Sequence, residues 1–300
     1  MASPPRGGPA AGGVTLIGYG EVGRILAEDL RAAGVAVTAF DVKLQGEGGE
    51  PMREHARRHG VALAETHASA VQAAGLVISA VTASQAVPVA AACAPGLAAG
   101  AFFLDFNSAS PGAKIHAAEV VNAAGARYVE GAVMTSVPPH RIQVPLLLGG
   151  PDAAALQPRL AALGFAPRVA SETLGVASAT KMCRSVMIKG LEAMVIESFT
   201  TARHYGVEDA VVASLKETFP GIDWETQATY FFQRVIEHGR RRSEEVREVA
   251  ETVREAGLAP WSAAGTAERQ AWVADLADAG AFGPRGSPGF ARSADWRLEA

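Results

Sequence analysis

The sequence predicts an α/β plus all-α chain: an N-terminal doubly wound parallel sheet followed by a helical C-terminal domain. Three observations carry this expectation. Apolar runs of strand length alternate with segments of helical spacing as far as about residue 170. A glycine-rich turn joins the first strand to the first helix, and after Ser171 the strand signals give way to long helical patterns.

The elements follow in order. "VTLIGYG" from Val14 is an apolar run into a turn, "EVGRILAEDLRAAG" has helical spacing and stops at Gly34, and "VAVTAFDV" is a second strand, which completes a βαβ unit. Helix-like "PMREHARRHG", strand-like "VALAET", helix-like "HASAVQAA", the buried strand "GLVISAV", a helix near 84–93 and the strand "AFFLDF" continue the alternation. Such alternation predicts a parallel sheet with helices on both faces. "ARYVEGAVM" and "VPLLLGG" add two strands, then come a helix "DAAALQPRLAAL" and a short strand "APRVA". The helical part predicts helices over about 177–205, 207–218, 223–238, 241–256 and 266–279. The expected domains are a disordered tail over 1–12, a doubly wound α/β domain over 13–170, a helical domain over 171–282, and a loose C-terminal tail over 283–300 rich in Gly, Pro, Arg and Ser.

Composition narrows the function classes. Three hundred residues, 49% hydrophobic and 19% charged, suffice for two real cores. A formal charge of −4 gives no general reason to expect nucleic acid or an anionic membrane as partner. The two cysteines, Cys93 and Cys183, are far apart and form no metal-ligand spacing, so the chain reads as reduced and cytoplasmic, and no metal is expected. No run approaches the ~18 uninterrupted apolar residues of a membrane span.

"GYGEVG" places Gly18, Gly20 and Gly23 in G-x-G-x-x-G spacing, after a strand and opening a helix. Dinucleotide binding asks for a tight turn at the first glycine, bare backbone at the second so that pyrophosphate can approach, and close helix packing at the third. Asp41 ends the second strand, where an acid accepts hydrogen bonds from the adenosine ribose hydroxyls. A Rossmann-type domain binding NAD is the expectation. Asp41 would repel a 2′-phosphate, so NAD is preferred; Lys43, two residues on, keeps NADP open. Tyr19, Glu21 and Val22 in the turn, with Val81 and Thr82 after the fourth strand, complete the expected cofactor contacts.

With "DFNSASP" after the fifth strand and "GVASATKMCRS" opening the helical domain, the glycine motif resembles the β-hydroxyacid dehydrogenase family, which includes 6-phosphogluconate and 3-hydroxyisobutyrate dehydrogenases. The resemblance spans about residues 13–205. "HGRRRSEEV" and "EAGLAPW" are similar to the branch with a phosphogluconate dehydrogenase-like C-terminal domain, DUF1932-like. The family pattern G-x-G-x-x-x-K-x-x-x-N falls on Gly175, Ala177, Lys181 and Ser185, with alanine for the second glycine and serine for the asparagine. The resemblance implies that Lys181 acts as general acid and base on the substrate hydroxyl, with Ser185 and Asn107 as catalytic companions. It also implies substrate binding by Ser108, Arg184 and Lys189. Where the family carries Ser-Gly-Gly for the substrate carboxylate, this chain has Met134, Thr135 and Ser136, so Thr135 and Ser136 would supply hydroxyl donors instead.

At ~100° per residue, Lys181, Arg184, Ser185, Ile188 and Lys189 share one sector of the helix, opposite Cys183 and Met187. This predicts a cationic stripe, set against an apolar back, that lowers the lysine pKa and attracts an anion. Glu237 with Arg241 and Arg240 with Glu244 have helical pair spacing. The resemblance also implies a homodimer through the helical domain in which C-terminal residues complete the partner subunit's site, with His238 and Arg242, one turn apart, as candidates. The function expected is hydride transfer between NAD(P) and a small anionic hydroxy acid. Imine reduction on the same scaffold and nucleotide binding without catalysis are the alternatives.

Overall fold

The computed structural model describes residues 13–300; the N-terminal tail expected over 1–12 lies outside the described residues. Two compact units form, the first ending at Lys181 and the second spanning Met182–Ala300.

The first unit alternates strand and helix: β1 (Val14–Ile17), α1 (Glu21–Ala32), β2 (Val37–Phe40), α2 (Glu50–His59), β3 (Ala62–Leu63), α3 (His67–Val71), β4 (Leu76–Ser79), α4 (Ala86–Cys93), β5 (Phe102–Asp105), α5 (Pro111–Ala123), β6 (Arg127–Val133), α6 (Val137–His140), β7 (Pro145–Gly149), α7 (Ala153–Ala162) and β8 (Ala166–Ser171). The strands lie in the order β3-β2-β1-β4-β5-β6-β7-β8. Strand order reverses between β1 and β4, and the carboxyl ends of strands at such a switch point are where open α/β sheets hold ligands. Every residue of β1, β4 and β5 is buried, as central parallel strands covered on both faces require. Leu26, Ala27 and Leu30 of α1 pack with Leu16 and Ile78 on one face, and Val89, Ala90 and Ala117 pack with Val77 and Phe103 on the other.

One pairing departs from a wholly parallel sheet. β6 and β7 are antiparallel, with Glu130 opposite Gly149. The short helix α6 between them turns the chain back instead of crossing over, which leaves room only for an antiparallel neighbour.

Helix α8 (Val176–Tyr205) begins in the first unit, and α9 (Glu208–Thr218), α10 (Trp224–Glu255) and α11 (Trp261–Asp278) belong to the second. The helices expected over 223–238 and 241–256 are one helix, α10. Gly239 suggests a break in the sequence, yet it sits inside α10 where a Cβ would lie 2.8 Å from the Gln270 carbonyl oxygen of α11. Close packing of the two helices offsets the ~1 kcal/mol that a mid-helix glycine costs.

The segment expected to pack loosely over 283–300 is docked. Trp296 is 1% exposed and lies against Phe199 and Phe232, while Arg297 pairs with Asp209 and Glu225. An indole buried among aromatic rings outweighs the local Gly and Pro content. Among the described residues, no helix is long and apolar enough to cross a membrane.

Candidate active site

The glycine-rich turn follows β1 directly, and its three glycines answer different demands. Gly18 has φ 96°, and a Cβ there would collide with the Ala80 carbonyl and lie 2.9 Å from Val81 Cγ1. At Gly23 a Cβ would collide with the Gly18 carbonyl oxygen. Gly20 has open space within 4 Å and an ordinary φ of −72° as the residue before α1. Gly18 and Gly23 are thus required by the chain's own packing. Gly20 leaves bare backbone at a helix N-terminus, a cradle that fits the pyrophosphate of a dinucleotide.

Asp41 stands beside this turn. Its Oδ2 accepts the Tyr19 N–H at 2.8 Å and its Oδ1 the Lys43 N–H at 2.9 Å. A carboxylate has about four acceptor sites, so capacity remains for ribose hydroxyls. Tyr19 departs from expectation: its side chain is wholly buried, with the hydroxyl 2.8 Å from His55 Nδ1 and burial pushing its pKa up to about 12. Only its backbone can meet a ligand. Glu21 is exposed at the start of α1, and Val22 packs against the sheet. Arg24, which the sequence reading passed over, lies on the first turn of α1 with Nε 3.4 Å from the Gly20 carbonyl oxygen. Its signal was its position directly after Gly23.

The loops after β4 and β5 meet through Asn107. Its Oδ1 accepts the Val81 N–H at 2.7 Å and its Nδ2 donates to the Ser79 hydroxyl at 3.0 Å. At 3% exposure, this amide joins two loops and does not face a substrate, which corrects its expected place among the catalytic groups. Its own N–H donates to Asp105 Oδ1 at 2.9 Å. Asp105 in turn pairs with Lys114 at 2.8 Å and accepts the Tyr128 hydroxyl at 2.7 Å, all fully buried. Thr82 is exposed and Ser108 is half-buried at this same end of the sheet.

Lys181 donates from Nζ to Ser108 Oγ at 2.5 Å. The helix that carries it is anchored by Glu130 of β6, whose buried carboxylate accepts the N–H groups of Gly175, at 2.8 Å, and Ser178. A carboxylate at a helix N-terminus satisfies orphan donors and suits the helix dipole. Contacts therefore run without a break from Gly18 to Val81, Asn107, Ser108 and Lys181 across the switch point. Ala177 is buried with Ala132 and Leu147, and Met134 packs on the same group. Two departures from the family pattern, alanine for glycine and methionine for serine, thus meet in one apolar cluster. Thr135 is exposed and Ser136 half-buried beside it in the chain.

In the second unit the expected stripe is divided, with Arg184 and Ile188 exposed and the rest turned inward. Ser185 and Lys189 are buried, whereas Cys183 and Met187, expected as an apolar back, are exposed, Met187 to 71%. Lys189 Nζ lies 2.6 Å from Glu245, and burial holds its ammonium below the usual lysine range despite that partner. Arg242 is buried against Glu192. Buried cations need acids, and Glu192 and Glu245 are placed inward to meet them. Lys189 and Arg242 are therefore ion-paired core residues instead of anion ligands. Arg184 is exposed. His238 is half-buried, and burial with the nearby Arg241 pushes its pKa down. The expected helical pairs are also exchanged: Arg241 meets Glu245, Arg240 meets Asp275 and Asp278, and Glu237 meets Arg292.

The NAD binding domain of 6-phosphogluconate dehydrogenase matches residues 13–164, and a domain of unknown function, DUF1932, matches 202–273. A conserved hypothetical protein from Sinorhizobium meliloti has a structure similar at TM-score 0.74, with 37% identity and 88% of each chain covered. An uncharacterized 28.5 kDa protein of Methanothermus fervidus is 26% identical over 82% of this chain and 93% of its own. The 3-hydroxyisobutyrate dehydrogenase of Mycobacterium tuberculosis shares the fold at TM-score 0.71 and 17% identity, with 89% of this chain and 95% of that one covered.

Proposed function

The chain belongs to the β-hydroxyacid dehydrogenase family, with its 6-phosphogluconate dehydrogenase type of NAD-binding domain, and from that membership we propose that it is an NAD(P)-dependent oxidoreductase acting on the alcohol carbon of a small anionic hydroxy acid. The observation that carries this reading is the line of contacts from Gly18 of the glycine-rich turn to the Lys181 amine.

When bound, the nicotinamide supplies the hydride acceptor. The chain supplies the rest. Backbone at Gly20 and the N-terminus of α1 hold pyrophosphate, with Arg24 adding charge, and Asp41 accepts ribose hydroxyls. NAD is preferred, because a 2′-phosphate would face the Asp41 carboxylate, and Lys43 is the cation that could offset this for NADP. Neutral Lys181 takes the proton of the substrate hydroxyl as hydride leaves, and as ammonium it returns the proton in the reverse direction. Ser108 fixes the amine, Asn107 positions Ser108, and Thr135 with Ser136 offers hydroxyl donors to the substrate. Arg184 remains the candidate ligand of the substrate anion because it is exposed, unlike the buried Lys189.

A thermal-shift screen of small hydroxy acids, sugar acids and their phosphates with NAD present identifies the substrate. On that substrate Lys181→Ala lowers turnover ~10²- to 10⁴-fold while cofactor affinity stays nearly constant. A fully active variant removes Lys181 from its role, and a strong preference for NADPH over NADH removes the assignment of Asp41.

The same reading includes a homodimer through the second unit. Met187, Met194, Tyr205 and Trp261 are each more than half exposed there, and large exposed apolar side chains of this kind mark association surfaces.

A further inference from the structure

We propose that Glu28, His55 and His59 form a binding site for a zinc-class divalent metal that clamps α1 to α2. The site is separate from the dehydrogenase machinery and uses residues to which the proposed reaction gives no task.

His55 and His59 are four residues apart on α2, so their rings emerge on one face of the helix. The rings stack with centroids 4.4 Å apart and planes 25° from parallel. Helical H-x-x-x-H spacing is a recurrent way to present two imidazoles to one metal. Glu28 arrives from α1, with Oε1 2.9 Å from His55 Nε2. One ligand atom from each of the three side chains lies within 4.8 Å of the others, and all three residues are half-buried. Tetrahedral zinc, with bonds of about 2.0–2.2 Å, sets its ligand atoms roughly 3.3 Å apart. Metal binding requires the His59 side chain to rotate and close the remaining gap.

The outer contacts suit a metal as well as the inner ones do. The Tyr19 hydroxyl lies 2.8 Å from His55 Nδ1, so with metal on Nε2 the ring proton sits on Nδ1 and points at the tyrosine oxygen. Glu28 Oε2 accepts from Arg141 at 2.7 Å, which fixes the carboxylate while Oε1 stays directed at the imidazoles. Arg141 also pairs with Asp29 at 2.8 Å, so Glu28 shares its guanidinium with a second carboxylate. Two imidazoles and one carboxylate, with no sulfur, select zinc, cobalt or nickel over calcium and magnesium. Three protein ligands leave a fourth position for water. Through Tyr19 the site touches the turn between Gly18 and Gly20.

The test uses tag-free full-length protein stripped with a chelator. Zn²⁺ is expected to raise its melting temperature by about a few degrees, and Co²⁺ to give the visible absorption of a tetrahedral site at one ion per chain. Both responses fall at least about tenfold in affinity in His59→Ala and in Glu28→Gln. They persist in His116→Ala, which removes the exposed histidine paired with Glu119. Melting of each variant in chelator, compared with the parent, checks that it is folded. Absence of stoichiometric binding at micromolar metal overturns the proposal, as does binding that survives in folded His59→Ala and Glu28→Gln.

Discussion

The carboxylate of Glu130 accepts the backbone N–H groups of both Gly175 and Ser178, so a buried strand residue of the sheet caps the helix that carries Lys181. In Glu130→Gln the amide oxygen can accept one of these N–H groups, but the N–H₂ must face the other, which goes without an acceptor. Loss of a charge-assisted buried bond costs about 1.5–3 kcal/mol, to be read from urea denaturation. Turnover should fall with it, because the start of α8 sets the position of Lys181. Unchanged stability would show that water or another group replaces the carboxylate.

Beneath Asn107, the Asp105 carboxylate is held by Lys114 and Tyr128, with side chains 1% exposed in the Asp105–Lys114 pair. Removing one partner of a buried ion pair strands the other. Lys114→Met should cost about 3–5 kcal/mol, and Tyr128→Phe, which removes one neutral donor to a carboxylate, about 1.5–3 kcal/mol. Chemical denaturation measures both, and the order of the two variants is the test.

The docked C-terminal segment should release in acid. The Arg297 guanidinium, ahead of the Trp296 indole, holds the Glu225 carboxylate below its ordinary value of 4.5. A depressed carboxylate contributes stability above its unfolded pKa and loses it as pH falls through the lower folded value. Fluorescence of Trp296, whose Nε1 donates to Glu225 at 2.9 Å, should therefore hold steady above about pH 5 and change below 4.5. In Glu225→Gln this acid step should disappear.

Light scattering on a sizing column tests the homodimer. Met187→Glu places a charge on the exposed apolar side of α8 and should shift the protein to monomer without lowering its melting temperature in the monomeric state. A parent protein already monomeric at micromolar concentration would remove the proposal.

The central strands were legible because buried parallel strands read as short apolar runs between turn residues, and most helices came with their own spacing; α5 and α6 were not foreseen. The β6–β7 reversal was not legible, since strand direction depends on what the connection does in space. Periodicity showed that Lys181, Ser185 and Lys189 share a side of α8, but it cannot say which side faces inward. Glu245, distant in sequence, decides that for Lys189 by pairing with it inside the second unit, as Glu192 does for Arg242. The break expected between 238 and 241 is absent because Gly239 packs α10 against α11, a contact the sequence does not show. Asn107 was found at the right end of the sheet, while its commitment to Ser79 and Val81 required the fold. Trp296 was hidden by a local composition that resembles a tail.

The three glycines of the turn differ in what would notice their loss. Alanine at Gly18 or Gly23 meets the chain's own atoms, so a folding assay would register either change. Alanine at Gly20 meets nothing within 4 Å and keeps an ordinary backbone angle. Gly20→Ala should melt like the parent, yet its affinity for NAD should fall, because the added methyl group occupies the approach of the phosphates. A variant at this position would pass every screen for stability and fail only in the presence of the dinucleotide.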